Sequence, residues 1–219
     1  MNLILTIILT IIFSFLILFF FSVFFLSRIF VPNLGFKRSK IPRELPKEFE
    51  EAIIKLKKQS KNKDDYAKKI YNYLGKRFHG EPADVWEEMP FIFVKNINKL
   101  WNKKKLHCNQ LNYLYRIALI KSKLFKEQDI KILHRTYMLN LHQILKVNIG
   151  KTKEKWVKID LFAKNYGYGF GRSMPKFFNP FKHWKKHKRK ISSVLLNFFP
   201  GFFSGLYYIF KNYIFKRIF

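Results

Sequence analysis

The chain has 219 residues, room for one folded domain plus appendages, with 48% hydrophobic residues and 43 Lys+Arg against 14 Asp+Glu, a net charge of +29. Such an excess favours anionic partners, phospholipid headgroups or nucleic acid. The single cysteine, Cys108, excludes an intramolecular disulfide and a cysteine zinc cluster, and no Cys-x-x-Cys pair, aromatic RNA-binding signature or Gly-rich phosphate loop is present.

Leu3 to Leu26 is a 24-residue run without a charge, broken only by Thr6, Thr10, Ser14 and Ser22. As a helix it would reach roughly 36 Å, enough for a bilayer core of about 30 Å. A signal peptide would begin with basic residues and end at a small-residue cleavage site. Here the first charge is Arg28 and no Ala-x-Ala follows. The expectation is an uncleaved single-pass anchor over 1–27 and a membrane location, not a freely soluble protein. Pro32, Gly35, Pro42 and Pro46 then punctuate a basic linker over 28–46. No Lys or Arg precedes the anchor, whereas Arg28, Lys37, Arg38, Lys40 and Arg43 follow it. The positive-inside rule therefore puts the domain on the cytoplasmic side, an outward-facing domain being the alternative.

Residues 47–58 and 63–78 read as amphipathic helices, the second with Tyr66, Ile70, Tyr73 and Leu74 at helical spacing. Gly80 and Pro82 end the pair. The stretch 83–107, with Pro90 and the apolar patch Phe91 to Val94, has no clear periodicity. A helix that starts at or just before Cys108 and runs to about Lys121 follows, with Leu111, Leu114, Tyr115, Ala118 and Leu119 as its buried stripe. Strands are expected at 129–137, 141–149 and 156–162, the last two joined by a polar turn from Gly150 to Lys155. Gly167, Gly169 and Gly171 mark a loop closing a domain over 47–171.

The tail, 172–219, differs in kind. Lys182 to Lys190 packs six Lys/Arg and two His around Trp184, and Ile191 to Phe210 carries no charge but is interrupted by Pro200, Gly201 and Gly205. An interfacial, aromatic, membrane-associated segment is expected in preference to a second, broken span. The sequence is also rich in Lys, Ile, Asn, Phe and Tyr, which A/T-rich codons favour. Part of the charge therefore reflects coding bias, and anionic lipid is preferred to nucleic acid as partner.

A thiol nucleophile reacts as its thiolate, which a helix N-terminus and a nearby imidazole both favour. The imidazole has to shuttle a proton and be oriented by a third group. Cys108 opens its helix, His134 and His142 lie on the strands that follow, and Asp160 is the acid on the last strand. On 141–149 the apolar face holds Leu141, Leu145, Val147 and Ile149, with His142 turned away. On 156–162 the apolar face holds Val157, Ile159 and Leu161, with Asp160 turned away. An antiparallel hairpin that matches the apolar faces puts His142 and Asp160 on one face, and one register sets them directly opposite. Alone, Cys108 fits either an inert core residue or a nucleophile. With His142 and Asp160 in order it fits a triad, leaving His107 and His134 as structural residues.

The runs His107-Cys108-Asn109-Gln110-Leu111-Asn112, Leu141-His142-Gln143-Ile144-Leu145-Lys146-Val147 and Trp156-Val157-Lys158-Ile159-Asp160 resemble the core of the transglutaminase-like superfamily. That family's Cys, His-x-Trp and Trp-x-x-x-Asp pattern is matched at Cys108, His142, Trp156 and Asp160, with spacings of 34 and 18 residues. Ile144 stands where the family has an aromatic residue, and no Gly precedes Cys108. The resemblance covers about residues 64–171. It implies an α+β, papain-like fold: a Cys-bearing helix packed on an antiparallel sheet whose neighbouring strands carry His and Asp.

It also implies acyl transfer at peptide or protein amides through a Cys108 thioester, with His142 as base and then acid and Asp160 holding the imidazole. The acyl group passes to water or to an amine. The Cys108 backbone N–H would help form the oxyanion hole, and Trp101, Asn109 and Trp156 are the further oxyanion or substrate-groove candidates. No dense acidic loop suggests calcium, so neither a metal nor another cofactor is expected. The alternatives are an inactive version of this fold serving as a membrane-bound interaction module, and a basic scaffold binding anionic lipid or nucleic acid.

Overall fold

The structure, a computed structural model, describes residues 3–21, 40–80, 94–137, 140–150 and 153–174. They form a mixed fold of five helices and two small sheets, compatible with the α+β class. Helix α1 covers Leu3–Phe21, with large apolar side chains exposed on all its faces, from Ile4 at 66% to Phe21 at 51%. No helix among the described residues is long and apolar enough to cross a membrane. The nearest is α1, whose 19 residues reach about 28 Å; the last five residues of the 24-residue apolar run lie outside the described residues. So do most of the linker, the Phe91–Phe93 part of the apolar patch, the tip of the last hairpin and the tail from residue 175.

Helix α2, Lys47–Lys58, starts after Pro46, with Glu48 and Glu50 in its first turn and Lys55, Lys57 and Lys58 in its last. That charge order complements the helix dipole. Helix α3, Lys63–Arg77, is capped by Asn62, whose side chain accepts from the Asp65 N–H at 2.9 Å. Its exposed side carries the i,i+4 pairs Asp64–Lys68 and Asp65–Lys69. Its buried residues are Tyr66, Ala67, Ile70, Tyr71 and Leu74, with Tyr73 half-buried against the core. Within the stretch that has no sequence periodicity, Asn96 caps a short helix, α4 (Ile97–Trp101), by accepting from the Lys99 N–H.

Helix α5, Cys108–Lys121, is buried from Asn109 through Leu119 and forms the spine of the core. Two reciprocal bonds tie it to α3: Tyr66 Oη donates to the Ala118 carbonyl and Tyr115 Oη to the Ala67 carbonyl, each at 2.9 Å. The start of α5 is delivered by a two-residue parallel contact between β1 (His79–Gly80) and β2 (Lys105–Leu106).

The main sheet is antiparallel, in the order β3 (Ile130–Tyr137), β4 (Asn140–Asn148), β5 (Trp156–Ile159). Leu145 pairs with Ile159 and Val147 with Val157, and all four pack on the core around α5. Parity is as the sequence predicts, but the register is displaced by two residues: continued past Ile159, the ladder sets Asp160 opposite Ile144, not His142. The cause lies in the turn. Asn148 Oδ1 accepts from both Gly150 N–H and Lys155 N–H, at 3.1 and 2.9 Å, which pins Trp156 opposite Asn148. The last strand is also shorter than expected, because Asp160 leaves the ladder to cap the one-turn 3₁₀ helix Ala163–Tyr166.

Candidate active site

Cys108 is the first residue of α5 and is half-buried. The turn is held from below by Gln110, whose Oε1 accepts the His107 backbone N–H at 3.1 Å while Gln110 and Leu111 donate to the His107 carbonyl. The Cys108 side chain lies close enough to the His142 ring to help raise its pKa. His142 Nε2 lies 3.0 Å from each carboxylate oxygen of Asp160. Nε2 therefore faces Asp160. Despite the displaced register the three side chains meet, because cross-strand neighbours on a diagonal remain within reach of long side chains.

Asp160 is 1% exposed and fully engaged. Besides His142, its Oδ1 accepts from Ala163 N–H at 3.0 Å and its Oδ2 from Met174 N–H at 3.3 Å. Tyr71 Oη reaches the Asp160 carbonyl at 3.4 Å and the Tyr168 carbonyl at 2.9 Å. The imidazole is braced by Phe162, whose ring meets it in a T-shaped contact at 5.2 Å. Phe162 in turn lies against Gly80, where an added Cβ would come within 2.7 Å of its ring and 2.8 Å of its Cα.

Burial alone would push the His142 pKa down. The Asp160 charge and hydrogen bond, joined by Cys108, outweigh burial and raise it to about 10. The ring is thus held as an imidazolium through neutral pH.

A further bond ties helix to strand: Asn112 Nδ2 donates to the Gln143 carbonyl at 2.7 Å, one turn after Cys108 and one residue after His142. The contacts of Asn112 and Gln143 have no signature in the motifs that contain them, and those of Tyr71, Phe162 and Met174 have none in the sequence. Only Asp160 and Ala163 carried a local signal, an Asp three residues ahead of a capped N–H.

The remaining candidates fall elsewhere. Trp101 is 4% exposed, stacked on Phe49 at 4.4 Å, and its indole N–H is committed to Glu48 Oε2 at 3.1 Å. It is therefore not an oxyanion donor. Asn109 follows the thiol in the first turn with its side chain buried. Trp156 stands at the far end of β5, about 13 Å along the strand from Asp160. Its indole donates to Glu154 Oε2 at 2.8 Å. His107 caps α5 and is buried, while His134 takes the register position opposite Gln143, one out of step with the Arg135–His142 pair. Among the described residues no group of three His, Cys, Asp or Glu is placed to hold a metal. No protein-family model, curated protein or solved structure matches the chain.

Proposed function

We propose that the chain is a membrane-anchored, transglutaminase-like cysteine enzyme that cleaves peptide or protein amides through a thioester on Cys108. One observation carries the reading: a buried imidazole bonded to a buried carboxylate, with the chain's only thiol, at a helix N-terminus, near enough to help raise the imidazole's pKa. The packing of α5 against an antiparallel sheet supports a papain-like core. The exposed apolar surface of α1 supports the anchor. The basic residues after it support a cytoplasmic domain.

The reactive form of the pair is thiolate and imidazolium. The Cys108 sulfur attacks the amide carbonyl carbon, and the resulting oxyanion is met by the Cys108 backbone N–H, which in a first helical turn has no intrahelical acceptor. As the C–N bond breaks, His142 gives its proton to the departing nitrogen and becomes neutral. Water or an amine then attacks the thioester, its proton passes to His142, and the C–S bond breaks to restore the thiolate and the imidazolium. Asp160 fixes the ring so that Nδ1 serves the sulfur.

Iodoacetamide labelling of the full chain at pH 6 tests this. Alkylation of Cys108 well above the rate of free cysteine is the expected result, because free thiol is almost entirely protonated there. Labelling no faster than free cysteine would instead favour an inactive fold acting as an interaction module or a binder of anionic lipid or nucleic acid.

A further inference from the structure

One rung of the main sheet consists of lysine alone. Lys131 on β3 pairs with Lys146 on β4, and Lys146 pairs with Lys158 on β5. Like charges set directly opposite across strands destabilise a sheet. Here part of that cost is offset by an aromatic ring, since Lys131 Nζ lies 4.2 Å and Lys146 Nζ 5.7 Å from the centroid of Trp156. Lys131 and Lys158 are exposed, and Lys146 and Trp156 half-exposed. Lys153 and Lys155 on the adjoining turn add to the positive charge, and Glu154, bonded to the Trp156 indole, is the acid nearest in the chain. By alternation this rung shares its sheet face with His142, about 13 Å along β4.

We propose that this lysine rung, with Trp156, docks the folded domain on the anionic headgroups of a lipid bilayer. The inference rests on α1 being the membrane anchor. Lipid is favoured over nucleic acid because the same chain carries an exposed apolar helix. The 18 residues between Phe21 and Lys40 hold the domain within about 60 Å of that helix, even when fully extended. Three lysines bind a free anionic surface weakly, but on such a tether docking becomes an intramolecular step at high effective concentration. Trp suits the role, being a residue of membrane–water interfaces.

The full chain is reconstituted in nanodiscs of neutral phosphatidylcholine, or of phosphatidylcholine mixed with phosphatidylserine. Acetylation of each lysine is then followed by mass spectrometry. Docking slows Lys131, Lys146 and Lys158 about fivefold in the anionic discs, with Lys68 and Lys99 unchanged, and roughly 0.5 M salt removes the difference. Equal rates in the two lipids overturn the proposal. So does protection by an added oligonucleotide without protection by anionic lipid, which would assign the rung to nucleic acid. A chain that leaves neutral discs but is held by anionic ones through these lysines sinks the anchor and keeps the docking face. A chain held by neither sinks both.

Discussion

At the scale of single residues, the triad predicts a graded response. Cys108→Ala should abolish covalent trapping of an acyl substrate, since no second thiol exists in the chain. His142→Ala should come close to it, because residues that act as a unit are strongly non-additive. Asp160→Asn should cost on the order of 10³–10⁴ in rate, the ring losing its orienting charge. His107→Ala and His134→Ala should cost far less. Thioester trapping and amide turnover across the five variants check the order, and an indispensable His134 would refute the assignment of the base.

The same imidazole ties stability to pH. Its folded pKa, about 10, lies above the ordinary histidine value of 6.5. The folded state therefore binds this proton more tightly than the unfolded chain does. The resulting stabilisation is complete below about pH 6.5 and is lost as pH rises toward 10. The Tm should fall across that window. In Asp160→Asn, which removes the charge holding the proton, the fall should be much shallower.

At the scale of elements, the bounds of α2 and α5 are legible in the sequence because their causes are local. Pro46 with the Glu48 and Glu50 turn starts α2, and the apolar stripe beginning at Leu111 marks α5. Strand parity is legible for the same reason, and it alone places His142 and Asp160 on one face. Register is not. It depends on the two bonds that Asn148 accepts in the turn, which no alternation pattern encodes. The β1–β2 contact has two residues on each side and so has no period to detect, and the bond from Trp101 to Glu48 spans 53 positions of chain.

Those unread contacts are where the site is most open to disturbance. Gly80→Ala should cost about 1–3 kcal/mol in thermal or chemical denaturation, since the new methyl meets the backbone of Phe162 and not just a movable side chain. It should also slow acyl transfer beyond what lost stability explains, because Phe162 and the Asp160 turn shift together against His142. An undiminished turnover number in folded Gly80→Ala would show that the brace is irrelevant to catalysis.

For the molecule as a whole, the balance of charge around the first helix predicts sidedness. In inverted vesicles, with the cytoplasmic face outward, added protease should digest the domain. Protection there would place it on the opposite side and remove the positive-inside argument.

Cys108 being the only cysteine has a chemical consequence of its own. Many thiol enzymes survive peroxide by closing a disulfide onto a second cysteine, which stops oxidation at a reversible stage. Here the chain offers no such partner. A sulfenic acid formed at Cys108 can be rescued by an external thiol; otherwise it proceeds to sulfinic acid, which thiols do not reverse. Brief peroxide exposure should therefore inactivate the protein in a form that added glutathione restores, and longer exposure should leave an inactive form that glutathione cannot restore. The site's lifetime would then follow the thiol supply of the compartment it faces.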